Sequence, residues 1–212
     1  WSMLAGLNSS YVDHTVLSTN CPEVKKAYDH FSRICCASNR NKMGIVERPD
    51  AISGDFSTTE SALLDAVEQV GMENVQWVVT LQPTSPLRYN GLLDSCFEEL
   101  DKNCSDSLFT GKKMTPFFMR KTEDGTREVE DSMLFSRPMR QDMVDGDFFY
   151  HDCGNIYISH IDVLKNGNRL GTRVAIQETD WCQSCQIDTY QDFFAMDSVW
   201  NTIKRDRGHM YM

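Results

Sequence analysis

Short β-branched and apolar runs alternate along this chain with helical segments of about ten residues, a pattern that constrains the fold more than any other feature. The clearest run is Val75 to Leu81, Val-Gln-Trp-Val-Val-Thr-Leu, closed by a proline-containing turn. Further strands are predicted at His14 to Ser18, Ile34 to Ala37, Asp106 to Thr110, Asn155 to Ser159 and Arg173 to Gln177. Helices are predicted over Trp1 to Asn8, Pro22 to Ser32, from Thr58 or Thr59 to Val70, over Gly91 to Lys102, and over Tyr190 to Lys204. Pro22 suits a first helical turn, where its missing N–H costs nothing, and Thr58 or Thr59 can cap. Parallel strands need helical crossovers, so the expectation is an α/β three-layer sandwich with a mainly parallel sheet covered on both faces. Ligands of such sheets bind beyond the carboxyl ends of the strands, which brings Ser18 to Asn20 and Gln82 to Arg88 to one crevice. Lys112 to Phe149, polar and holding Pro116 and Pro138, breaks the alternation and reads as an excursion serving as a lid or subunit contact.

Composition sets the outer limits. A chain of 212 residues, 41% hydrophobic, buries one sizeable core, so a single domain over residues 1–212 is expected, with the excursion at about 112–149. The net charge of -10 repels nucleic acid and anionic lipid, so any anionic ligand falls to a few local arginines. No apolar run approaches the roughly 18 residues of a membrane span, and no leader pattern opens the chain, so a cytoplasmic protein is expected. Eight cysteines are scattered through ordinary core-forming sequence and read as thiols. Cys182 and Cys185 form a CxxC, but no second pair or histidine cluster supplies a zinc set.

The run Leu81-Gln82-Pro83-Thr84-Ser85-Pro86-Leu87-Arg88 stands at the predicted strand's carboxyl end. It resembles the LQPTSPLR signature of the acylneuraminate (CMP-sialic acid) cytidylyltransferases. Other stretches fall in that family's order. They are Leu17-Ser18-Thr19, Arg48-Pro49 with Gly54-Asp55 and Ser57 to Glu60, Arg137 to Gln141, Gly154 to Ile158 (similar to NGAIYI) and Ser184 to Asp192 (similar to SIDIDTPED). The resemblance implies a nucleotide-diphospho-sugar transferase-like fold and transfer of CMP from CTP to the anomeric hydroxyl of a sialic-acid-like nine-carbon sugar acid, with pyrophosphate leaving. Such a reaction asks mainly for charge neutralisation and alignment.

By the same resemblance Asp188 holds Mg2+ and Arg140 pairs with the sugar's carboxylate, both counted as catalytic, as oxygen ligands suit magnesium and a guanidinium suits a carboxylate. Arg48, Asp55 and Thr59 map to the nucleotide side, and Gln82, His151 and Tyr157 to the sugar. A homodimer joined through the excursion is implied as well. The sequence departs from the family in several places. Gln186 stands at the first acidic position of the metal motif, with Asp192 either a substitute or a stabiliser of the helix's first turn. His151 replaces an arginine, and Tyr150-His151-Asp152 is similar to relatives that activate pseudaminic acid. Enzymes for the eight-carbon sugar Kdo carry an acidic residue near the Gln82 position and resemble the chain less. Nothing matches the family's glycine-rich loop of the IPARGGSKG type, and Trp1 corresponds to a point after it. The rival expectations are a non-catalytic or truncated relative that binds sugar or a partner, and a cytidylyltransferase for another sugar acid.

Overall fold

The computed structural model describes residues 1–71, 74–115, 119–121, 123, 127–129 and 138–207; Pro116 and Arg137 lie outside them. Helix α1 (Ser2–Asn8) leads to β1 (Thr15–Thr19), α2 (Pro22–Ile34), α3 (Ala37–Arg40) and β2 (Met43–Glu47). There follow α4 (Thr59–Val70), β3 (Trp77–Leu81), α5 (Leu92–Lys102) and β4 (Ser107–Met114). A small antiparallel pair, β5 (Met119–Lys121) and β6 (Arg127–Val129), stands in the excursion. The chain closes with β7 (Phe149–His160), α6 (Ile161–Lys165), β8 (Val174–Glu178) and α7 (Tyr190–Arg207).

The α/β architecture expected from the alternation is the one found. β1 and β2 pair in parallel, and the larger sheet has the order β3-β7-β4-β8. In it β4 and β8 are parallel, while β7 runs antiparallel to both β3 and β4. Three of its four strands therefore share one direction. The reversed strand is β7, which the excursion joins to β4; among the described residues between them the elements are the β5–β6 pair and two short helical turns.

Two expectations are corrected. Ile34 to Ala37 is no strand, because Ile34 continues the helical spacing of Val24, Tyr28 and Phe31 as the last residue of α2, and Cys36 leads into α3. The strand of this region is β2, nine residues further on from Ile34 at Met43. The strand predicted at Asn155 to Ser159 is the inner part of a longer β7, whose first four residues, Phe149 to Asp152, are largely exposed.

The core forms where α5 lies on the larger sheet. Leu92, Leu93, Cys96, Phe97 and Leu100 recur at helical spacing and pack on Leu108 of β4, Ile156 and Ile158 of β7 and Ala175 of β8. A second cluster joins Leu87 to Met196, Val199 and Trp200 of α7, with Cys182, Cys185 and Ile187 beside them. Among the described residues no helix is long and apolar enough to cross a membrane.

Candidate active site at the strand tips

β3 ends at Leu81, and the chain turns at once, with the Ser85 N–H donating to the Gln82 carbonyl at 3.2 Å. Arg88 fixes this turn from beneath. Its Nη2 donates to the carbonyls of Gln82 (2.9 Å) and Asn155 (2.8 Å), and its Nη1 donates to Ser2 Oγ at 2.9 Å. The side chain is 6% exposed and faces carbonyls in place of a carboxylate. Burial pulls the guanidinium down to about 10, so it stays charged at neutral pH.

Asn155, fully buried on β7, draws in a second segment: its Nδ2 donates to the Leu87 carbonyl at 3.3 Å and to the Gln183 carbonyl at 2.7 Å. The segment from Gln183 to Asp188 is thereby laid along the Gln82 turn, and the Ile187 N–H donates to the Thr84 carbonyl at 2.8 Å. Gln186 Nε2 then donates to Gln82 Oε1 at 3.3 Å. Both amides lie over Gly154, whose φ of +63° suits glycine.

Next to them stands Asp152. Its carboxylate accepts the Tyr157 hydroxyl at 2.9 Å on both oxygens and the Gly154 N–H at 2.9 Å. Tyr157 itself is buried, and its ring lies 4.6 Å beneath the Arg169 guanidinium, which Glu60 of α4 holds at 2.6 Å. Burial first, and donation to Asp152 second, push the phenol well above its usual range. Tyr157 therefore holds Asp152, leaving the carboxylate exposed at the tip of the sheet.

The other predicted residues take varied places. Asp188 is exposed, and among the described residues its carboxylate makes no hydrogen bond or ion pair. Asp192 acts as the helix cap: it accepts the amides of Asp188 (3.2 Å) and Thr189 (2.8 Å) and the Thr189 hydroxyl (2.8 Å), while its own N–H donates to Thr189 Oγ1 at 3.2 Å. His151 is exposed on β7 opposite Lys112. Arg48 is tied to the tip of β1, donating from Nε to Ser18 Oγ at 3.1 Å and from Nη2 to the Ser18 carbonyl at 2.7 Å. Asp55 and Thr59 are exposed after β2, with Thr58, whose Oγ1 accepts the Ser61 N–H, as the cap of α4. Arg140 is exposed on a short helical turn from Arg140 to Asp142. Among the described residues, no hydrogen bond or ion pair joins Arg140, Asp55 or Thr59 to the Gln82 group.

Sequence reasoning passed over Asp152, Asn155 and Gln183. Asp152 carried a signal, as the only carboxylate of the Tyr150 to Gly154 run. Asn155 and Gln183 carried none, since a buried amide is known only by its partners.

Whether the site suits Mg2+ is a question of donors. Among the described residues no three of His, Cys, Asp and Glu gather in one place. Asp188 offers one uncommitted carboxylate, and the Gln186 amide is engaged by Gln82. Mg2+ accepts such a set when water and substrate phosphates complete its shell, so the residues fit the ion in that one mode.

No family model and no curated protein matches the chain. Among solved structures it is similar to the 4-diphosphocytidyl-2C-methyl-D-erythritol synthase of Anaerococcus prevotii DSM 20548, with a TM-score of 0.59 and 11% identity over 93% of this chain and 84% of that one. At that identity the likeness is one of fold alone, and it agrees with the α/β architecture described above.

Proposed function

We propose that this chain transfers CMP from CTP to the anomeric hydroxyl of a sialic-acid-like nine-carbon sugar acid, releasing pyrophosphate. One observation carries the reading. Three segments far apart in sequence, 81–88, 154–158 and 184–192, each resemble a motif of the cytidylyltransferase family, and they meet around Gln82, Gly154 and Gln186. Unrelated turns would have no reason to converge at the tips of one sheet. The fold neighbour's name, which places a diphosphocytidyl group on its product, agrees with a cytidine nucleotide.

In this reading Gln82 and His151 face the sugar, Arg140 pairs with its carboxylate and Arg48 meets phosphate, with Asp55 and Thr59 on the nucleotide side. Asp152, held by Tyr157, accepts sugar hydroxyls. Mg2+ held by Asp188 would neutralise the phosphates when bound. A homodimer through residues 112–149 belongs to the same proposal.

The test is pyrophosphate release from CTP with a panel of nine-carbon acids. Turnover with at least one acid is expected, and Gln82→Ala should raise the KM for that acid roughly tenfold while sparing that for CTP. Absence of both turnover and CTP binding would sink the reading.

A second reading is favoured by the Gln186 amide, which fills a metal-motif position with a neutral group bound to Gln82. In it the chain is a non-catalytic binder of sugar or a partner. Binding of a nine-carbon acid without turnover is its signature. Turnover with a different sugar acid would instead change only the substrate, which fold alone does not fix.

A further inference from the structure

Cys182 and Cys185 stand in the turn that carries the chain from β8 to Gln186, and the proposed reaction gives them no task. Three other thiols, Cys35, Cys96 and Cys153, are buried in the packing, and Cys21, Cys36 and Cys104 lie in other parts of the chain. Cys96 and Cys153 are 0% and 1% exposed, and Cys153 Sγ donates to the Thr110 carbonyl at 3.1 Å. The pair at 182 and 185 is different, being half-buried and part of one turn.

The Cys185 N–H donates to the Cys182 carbonyl at 3.4 Å. A turn closed from i to i+3 holds its end Cα atoms within about 7 Å, and a disulfide spans about 4.4–6.8 Å. Both side chains pack against the same apolar cluster, built on buried Leu87 and Met196. Among the described residues no third His, Cys, Asp or Glu completes a metal set here.

We infer that Cys182 and Cys185 form a reversible dithiol–disulfide pair, and that its oxidation by a small disulfide such as oxidised glutathione resets the contact of Gln186 with the strand tips. The Cys182 thiolate attacks one sulfur of the glutathione disulfide, whose S–S bond breaks and expels a glutathione thiolate. The Cys185 thiolate then attacks Cys182 Sγ in the mixed disulfide and expels the second. The two cysteine protons end on the two glutathione thiols, so one disulfide is consumed and one is formed. Burial pushes the Cys185 thiol up, and its Sγ donates to the Trp181 carbonyl at 3.1 Å, both of which slow its attack on an external disulfide.

The coupling to the crevice is short. Forming the bridge takes Cys185 Sγ away from the Trp181 carbonyl, and the next two residues are Gln186, paired to Gln82, and Ile187, whose N–H is bound to Thr84. On the far side Gln183 cannot follow, because it is 2% exposed and its carbonyl is held by Asn155. Displacement is therefore passed forward, toward Gln186.

The experiment equilibrates the full chain with graded ratios of reduced and oxidised glutathione, quenches with acid, alkylates the remaining thiols and maps peptides by mass. The expected product is a peptide holding both cysteines and lighter by two hydrogens, and Cys185→Ser should stop at a glutathione adduct on Cys182. Hydrogen exchange at the Ile187 amide should quicken roughly tenfold on oxidation, and not in the Cys182→Ser/Cys185→Ser double variant. Separate glutathione adducts on the two residues of the wild type, thiols that stay reduced, or pairing with a different cysteine would overturn the inference. A disulfide that leaves Ile187 exchange unchanged would overturn its coupling to the site. None of these readouts depends on nucleotide chemistry.

Discussion

A methyl group added at Gly154 would collide with Gln186 Nε2 and lie 2.7 Å from Gln82 Oε1, so one of the amides must leave. The positive φ adds strain of about 1–2 kcal/mol for any other residue. Gly154→Ala is therefore expected to lower stability by about that amount in urea unfolding, and to weaken CTP-dependent turnover beyond what the stability loss explains. Arg88 makes a stronger claim. Arg88→Met removes the guanidinium donor from the carbonyls of Gln82, which keeps the Ser85 N–H, and of buried Asn155, at about 1–3 kcal/mol for a buried carbonyl left short of a donor. A fall of about that size by denaturant titration is expected, and near-wild-type stability would show that the guanidinium is not the clamp. At this scale the sequence told part of the story. Gln82 and Gln186 were legible from a motif, whereas Tyr157 looked like a ligand contact and turned out to be 6% exposed, with its hydroxyl on Asp152. Strand alternation says which face a side chain takes, but not that Gly154 bends the strand so that residues 152 and 157 touch.

Helix α7 is started by the reciprocal bonds of Thr189 and Asp192. Thr189→Ala should cost about 1 kcal/mol in unfolding free energy at neutral pH. The Thr189 hydroxyl and then its amide hold the Asp192 carboxyl below its usual range. A folded value below the unfolded one means that this cap stabilises above about pH 4 and loses its effect as pH falls through the lowered value. The stability gap between wild type and Asp192→Asn is thus expected to shrink from pH 7 to pH 3, and a gap that widens would reverse the assignment. Helix α1 is tied down by a similar device, for the Asp94 carboxylate on α5 accepts the Ser10 hydroxyl at 2.7 Å and the Ser9 hydroxyl at 2.5 Å. Helices were the most legible elements, since Pro22, Thr58 and Gly91 mark their starts. β2 was not, because Met-Gly-Ile-Val-Glu follows a run of Asn, Arg and Lys and carries too little β-branched sequence to stand out.

The β1–β2 pair and the four-stranded sheet are unequally buried. Leu108, Ile156 and Ile158 are wholly enclosed, whereas β1 and β2 carry mainly half-buried residues and α2 has none that is buried. Amide exchange is expected to be slowest in β4 and β7 and clearly faster in β1 and β2, since local opening follows the amount of buried apolar surface. Uniform protection across both sheets would contradict this. The fold class was readable from alternation alone because crossovers leave a strong periodic trace. The direction of β7 was not, since the excursion before it has no such trace.

That reversal shapes the space beside Gln82. Leu81 pairs with Ile156, yet β7 begins at Phe149, so residues 149–155 overrun the end of β3 and have β4 as their strand partner. As a strand they form a cantilever, steadied on the other flank by the contacts of Gly154 and Asn155. A molecule that settles past Leu81 takes the berth a neighbouring strand would have filled, and main-chain groups greet it along with side chains.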